Sequence, residues 1–271
     1  MSGSLSKGYF DMPWGQIHYR TSPSNHTRSP MFLLHQSPLS SRNYDRLLPL
    51  LAEHCAPYAL DTPGYGGSSA APLDWEVEDY ANAVWKCADA IGAEKIVLFG
   101  RATGTVFAVE AALSHPERVS CLILHGMPVY TDEERADRMA NFAPPFQYLD
   151  DGSHISAIWK RIQGEYPWID PELATHFVQD YLAAGADFAQ SYRAIWRYDL
   201  PNRVANTLAV PTLLIGGTDD RIGFMHERAV ALLPAADTVV LEAATDFVAE
   251  QSPTLLASHL IDFIGKNMSN P

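Results

Sequence analysis

Residues 96 to 104 read Ile-Val-Leu-Phe-Gly-Arg-Ala-Thr-Gly, an apolar run that enters a Gly-x-x-x-Gly turn and leaves it as a helical segment, Thr103 to His115. A strand that turns into a helix this abruptly needs small residues at both glycines, because a Cβ there would meet the neighbouring strand or helix. The pattern is the frame of a nucleophile elbow, whose usual form is Gly-x-Ser-x-Gly. Its central position here carries Ala102. The turn is present and the nucleophile is not.

Periodicity places the elbow in an alternating chain. Tyr9 to Trp14 and Gln16 to Arg20 read as a hairpin turning at Gly15, and Met31 to His35 as a short buried strand. Ser41 to His54 has helical spacing through Leu47, Leu48, Leu50 and Leu51. Ala56 to Asp61 is a strand that ends in a glycine-rich loop, Trp75 to Ile91 a helix, Lys95 to Phe99 the strand before the elbow, and Val119 to His125 another strand. From Thr131 to about Thr207 no good strand is found, only helical segments rich in aromatics. The alternation resumes with strands at Pro211 to Gly216 and Thr238 to Glu242, a helix at Glu227 to Leu233, and a last helix capped by Ser252 with Pro253 at its first position. Short apolar runs alternating with helices imply an α/β fold, a mostly parallel sheet covered on both faces. The expected division is a core of residues 1–130 and 208–271, with a helical cap, 131–207, inserted after the sixth strand.

Composition narrows the function classes. Thirty-two acidic residues against nineteen basic ones give a net charge of −13, which argues against nucleic acid and anionic membranes as partners. No run of about eighteen apolar residues is present, and the first seven residues lack the apolar core of a signal peptide, so a cytoplasmic location is expected. Cys55, Cys87 and Cys121 are scattered and read as reduced core thiols. His154, His176 and His226 lack paired metal-ligand spacing, so neither metal nor cofactor is expected. A homodimer is compatible with the sequence.

Several segments, in order, resemble the α/β-hydrolase superfamily over nearly the whole chain. They are Leu33-Leu34-His35-Gln36, Asp61-Thr-Pro-Gly-Tyr-Gly-Gly-Ser68, the frame Gly100 to Gly104, His115-Pro-Glu-Arg-Val119, and Leu214-Ile-Gly-Gly-Thr-Asp-Asp220. The resemblance implies the α/β-hydrolase fold and a Ser…Asp…His order of catalytic residues, in which serine attacks, histidine takes its proton and the acid orients the histidine. By that similarity Ala102 occupies the nucleophile seat and Asp220 the acid seat, with Asp219 beside it. Asp246, followed by Phe247, stands where a histidine is usual, and no histidine lies between His226 and His259. The backbone N–H groups of Gln36 and Thr103 would form an oxyanion hole, which does not depend on a serine.

Other groups are candidates for the missing chemistry. Arg101, if it faces the pocket, could hold a carboxylate or enolate. His125 ends the sixth strand, at the sheet edge where α/β proteins place ligands, and is the first candidate for a base titrating near neutral pH. Asp220 and Asp246 could act as a coupled carboxylate pair. His35 serves either a structural hydrogen bond or the substrate. Trp159, Tyr192 and Trp196 are the cap aromatics expected to roof the cleft, which favours a largely apolar or aromatic small-molecule substrate.

These residues point to an α/β-hydrolase-fold enzyme that acts on a small carbonyl compound without a serine nucleophile, by direct water attack, lyase chemistry or isomerisation. Two alternatives stand beside it: a conventional serine hydrolase disabled at Ala102, and a non-catalytic binding protein.

Overall fold

The computed structural model describes residues 5–24, 28–142, 147–204 and 208–268. The expectation about a leader therefore falls partly, at residues 1–4, outside the described residues. Eight strands form one sheet: β1 (Ser6–Met12), β2 (Gly15–Thr21), β3 (Pro30–Leu34), β4 (Ala56–Leu60), β5 (Ile96–Arg101), β6 (Val119–His125), β7 (Thr212–Gly217) and β8 (Asp237–Leu241). Their spatial order is β1-β2-β4-β3-β5-β6-β7-β8. The pairs β1–β2 and β2–β4 are antiparallel and the other five are parallel. This is the α/β fold with a mostly parallel sheet that the alternating pattern implied.

The helices are α1 (Leu48–Leu51), α2 (Val77–Ala90), α3 (Thr103–Ser114), α4 (Asp132–Asn141), α5 (Ser153–Glu165), α6 (Pro171–Ala184), α7 (Gln190–Arg197), α8 (Leu200–Val204), α9 (His226–Leu232), α10 (Val248–Gln251) and α11 (Pro253–Met268). One difference from the sequence pattern is local. The continuous helix expected over Ser41 to His54 is a 3-10 turn, Ser41–Tyr44, followed by the single turn α1. Pro49 explains the break, since it has no N–H to donate and its ring crowds the carbonyl four residues back.

Buried apolar residues of α2 and α3 (Tyr80, Val84, Val106, Phe107) cover one face of the sheet with Leu98, Leu122 and Leu124. The opposite face packs Val97, Phe99, Cys121 and Ile123 against α1 and α11 through Leu51, Leu256, Leu260 and Phe263. The strands buried on both sides are therefore almost continuously apolar, as a parallel sheet requires. Between β6 and β7 the described residues form helices, α4 to α8, with their connections, and no strand. α5 and α6 share a cluster of their own, Ile158, Ile162, Leu173, Phe177 and Tyr181, into which Phe247 from the loop after β8 inserts. That insertion fixes the helical stretch over the carboxyl ends of the strands, where the elbow opens.

Candidate active site

The elbow forms as the glycine spacing dictates. A Cβ on Gly100 would stand 2.5 Å from the Gly104 carbonyl oxygen, and one on Gly104 would stand 2.3 Å from the Leu34 carbonyl oxygen. Between them Ala102 takes φ 46°, ψ −113°, outside the regions favoured by L residues. Its N–H donates to the His125 carbonyl oxygen at 3.0 Å, and its own carbonyl accepts from the Thr105 N–H at 2.9 Å. The turn is thus pinned to β6 on one side and to its own helix on the other.

Ala102 opens into a cavity of about 170 Å³. The sheet side supplies Gln36, Ser37, Ala102 and Thr103, and the helices supply Arg138, Phe142, Arg161, Glu165, Tyr166, Phe177, Tyr181 and Tyr192. Arg221 and Asp246 come from the loops after β7 and β8. Among the described residues, no protein group accepts the backbone N–H of Gln36 or of Thr103. Two donors at the start of α3 and the end of β3 are therefore free for a ligand, and the helix N-terminus adds positive character. The hydroxyl of Thr103 accepts the Ser37 N–H at 2.7 Å, tying the two donor-bearing loops together.

The candidate residues separate into two groups. Gln36, Ala102, Thr103, Tyr192 and Asp246 line the cavity. His35, Arg101, His125, Asp220, Trp159 and Trp196 do not. Arg101 does not face the pocket. It runs beneath the elbow, 4% exposed, and its guanidinium lies 2.9 Å from Asp220 and 3.3 Å from Asp246. Gly126 makes room for it, since a Cβ there would come within 2.1 Å of the Arg101 guanidinium, and its φ of 60° suits glycine. The coupled acid pair is thus corrected to two carboxylates bridged by a cation. Asp220 also accepts the Ile222 N–H at 2.9 Å, and Asp246 accepts the Arg221 N–H at 3.0 Å and the Tyr166 hydroxyl at 3.4 Å.

His125 as a neutral-pH base is likewise corrected. It is fully buried, with Nε2 3.8 Å from Asp220. Burial, then the charges of Arg101 and His226, hold its pKa well below the ordinary histidine value. His35 proves structural. One ring nitrogen accepts the Thr62 N–H at 2.9 Å, the other donates to the Gln36 carbonyl at 2.9 Å, and burial lowers its pKa. Trp196 stacks behind Tyr192, ring centroids 5.5 Å apart, and Trp159 packs into the core of α5 and α6. Neither tryptophan lines the cavity, and for Trp196 the Tyr192 ring stands between.

The glycine-rich loop after β4 serves architecture. Asp61 accepts from the N–H groups of Ser41 at 2.6 Å and Gly67 at 2.7 Å and pairs with His18 at 2.7 Å. Burial alone would raise its pKa, but these partners hold it at about 2.

The cavity also has a charged lining that the sequence expectations did not include. Arg161 and Arg221 both pair with Glu165, and Arg138 lies over the Phe142 ring. The roof is aromatic and cationic rather than largely apolar. The available signal was the interleaving of arginines with aromatic residues along the helical stretch.

A family described as the alpha/beta hydrolase fold matches residues 29–253. A putative non-heme haloperoxidase of Mycobacterium phage D29 is 32% identical over 99 residues, which covers only 36% of each protein. The uncharacterized hydrolase YugF of Bacillus subtilis (strain 168) is 24% identical over 261 residues, 91% of this chain and 92% of that one. Among solved structures, a membrane phospholipase A described as a bacterial virulence factor superposes with a TM-score of 0.79 at 25% identity, over 98% of this chain and 87% of the other. E-2-(acetamidomethylene)succinate hydrolase superposes at 0.76 and 21% identity, over 96% and 99%.

Proposed function

The chain belongs to the α/β-hydrolase family, and from that premise we propose that it acts on a small carbonyl compound without forming a covalent serine intermediate. The helical stretch between β6 and β7 acts as a cap, and the ligand lies between it and Ala102. The free N–H groups of Gln36 and Thr103 serve as the oxyanion hole, polarising the carbonyl and stabilising an enolate or tetrahedral oxyanion. Asp246, a carboxylate in the wall of the cavity that Ala102 also lines, is the group for proton exchange.

The observation that carries this reading is the Arg101 guanidinium between Asp220 and Asp246. In a serine mechanism an imidazole standing next to the acid takes the proton of the nucleophile. Here a permanently charged cation holds the acid, so a proton acceptor is missing along with the serine.

One observation favours the rival reading of a binding protein without turnover: both oxygens of Asp246 are already engaged, by Tyr166 and Arg101 on one side and the Arg221 N–H on the other. Exchange of the α-protons of phenylpyruvate in D2O, followed by NMR, separates the two. Turnover predicts acceleration over buffer that falls by about 100-fold in Asp246→Asn. No acceleration in the wild-type protein would favour the binding protein. Stoichiometric labelling of a serine by a fluorophosphonate would overturn both.

A further inference from the structure

A chain with 32 acidic and 19 basic residues gathers three arginines around one cavity. Arg138, Arg161 and Arg221 face Glu165 and Asp246 as the charged groups of the lining. Arg101 and Asp220, behind the wall, cancel one another. The site therefore keeps one positive charge uncompensated. Arg138 carries it. Its natural partner one helical turn back, Glu134, is taken by Arg228 at 2.7 Å. The Arg138 guanidinium instead lies over the Phe142 ring, 5.2 Å from its centroid, and the Arg161 guanidinium lies 5.6 Å from the same centroid. Two like charges drawn to one ring, with a single excess charge to neutralise, make a fork for an anion.

We infer that the ligand of this cavity is a small organic monoanion, with its carboxylate held between Arg138 and Arg161 and its apolar body against the rings of Phe142, Tyr181 and Tyr192. The inference rests on the reading that the ligand occupies the elbow cavity, and it names the chemical class that cavity selects. The cationic fork lies on the helices and the free N–H groups lie on the sheet side. A carboxylate anchored at the fork leaves a second polar group, such as a carbonyl, to meet Gln36 and Thr103. A phosphate monoester offers the same acceptor geometry but carries nearly twice the charge that the site can neutralise.

Calorimetric titration of the intact protein with benzoate, benzamide and phenyl phosphate tests this. Benzoate is expected to bind at least about 10-fold more tightly than benzamide, and more tightly than phenyl phosphate. Arg138→Gln is expected to weaken benzoate by about 10-fold and leave benzamide unchanged. The Arg138 side chain makes no hydrogen bond among the described residues, so this variant keeps its fold, and an unchanged Tm checks that. Arg161→Gln is the second variant, expected to act in the same direction. Benzamide binding as well as benzoate, benzoate affinity unaltered in both variants, or no heat from benzoate up to about 20 mM would overturn the inference. Tighter binding of phenyl phosphate would overturn the carboxylate assignment. Serine labelling, which would defeat the non-covalent reading, leaves this titration unaffected, so the two failures are distinguishable.

Discussion

Arg101 and Asp220 meet at 2.9 Å beneath the elbow, with side chains 5% and 0% exposed. The guanidinium reaches Asp246 from the same place, at 3.3 Å. Removing the cation strands two buried carboxylates, a costlier event than losing a surface pair. Arg101→Met is expected to lower unfolding free energy by about 3–5 kcal/mol. Adding Asp220→Asn and Asp246→Asn to that variant should recover part of the loss, because no buried charge remains unpaired. Urea unfolding of the two variants checks this, and a single variant as stable as the wild type would contradict the structural role assigned to Arg101.

The same ion trio decides what a restored serine can do. In Ala102→Ser the hydroxyl gains no imidazole partner, and the nearest acid is already bound to Arg101. The variant is expected to stay unlabelled by a fluorophosphonate and to hydrolyse p-nitrophenyl acetate no faster than the parent. Ala102→Ser combined with Asp246→His should also stay inactive, because Arg101 retains Asp220. Fast stoichiometric labelling of either variant would show that the site needs less than a complete relay.

The elements were legible because their signals are local. β6 has the bounds read from the sequence, and the elbow follows from two glycines four positions apart. Pro49 was visible too, yet the leucine spacing around it read as one helix, and the proline decided. The site was legible only in part. Gln36, Thr103 and Asp246 could be placed because each follows the end of a strand whose position the sheet fixes. The direction of Arg101 stayed open for a different reason. A long side chain on a strand end can turn into the pocket or under the turn, and the choice was made by Gly126, twenty-five residues later. The cationic roof was hidden because it is assembled from three helices or loops, α4, α5 and the segment after β7, whose relative placement no local periodicity encodes.

Asp180 gives the helical stretch a pH dependence of its own. Burial pushes its carboxyl up to about 6, against the pull of Arg42 at 3.0 Å and the Ser40 hydroxyl at 3.1 Å. A carboxyl raised in the folded state is protonated there while the unfolded chain has already ionised. Its stabilising contribution is therefore complete below the unfolded value near 4 and is lost as pH rises through 6. Asp180→Asn removes this dependence. The stability difference between variant and parent is expected to grow in the variant's favour by about 2–3 kcal/mol between pH 4 and pH 7. Thermal unfolding at matched ionic strength measures it. A difference that stays flat across that range would mean that Arg42 already compensates the burial.

His125 supplies the opposite pH signature. Burial first, then the positive charges of Arg101 and His226, depress its pKa well below 6.5. The folded protein therefore resists protonating this ring while the unfolded chain accepts the proton readily. Its contribution to stability is present above about pH 6.5 and is lost as pH falls from there through the folded pKa. Comparing His125→Gln with the parent isolates this from the Asp180 effect, which runs the other way over part of the same range. The variant should lose less stability on acidification than the parent. The ring itself should show the NMR shifts of a neutral tautomer through neutrality, with no titration there. If the proposed α-proton exchange occurs, His125→Gln should leave its pH profile without a changed neutral inflection, since the imidazole is held under the elbow and outside the cavity. A ring midpoint between about pH 6 and 7 would return His125 to consideration as the acid–base group and would mean that the Asp220 carboxylate, 3.8 Å away, outweighs burial at this position.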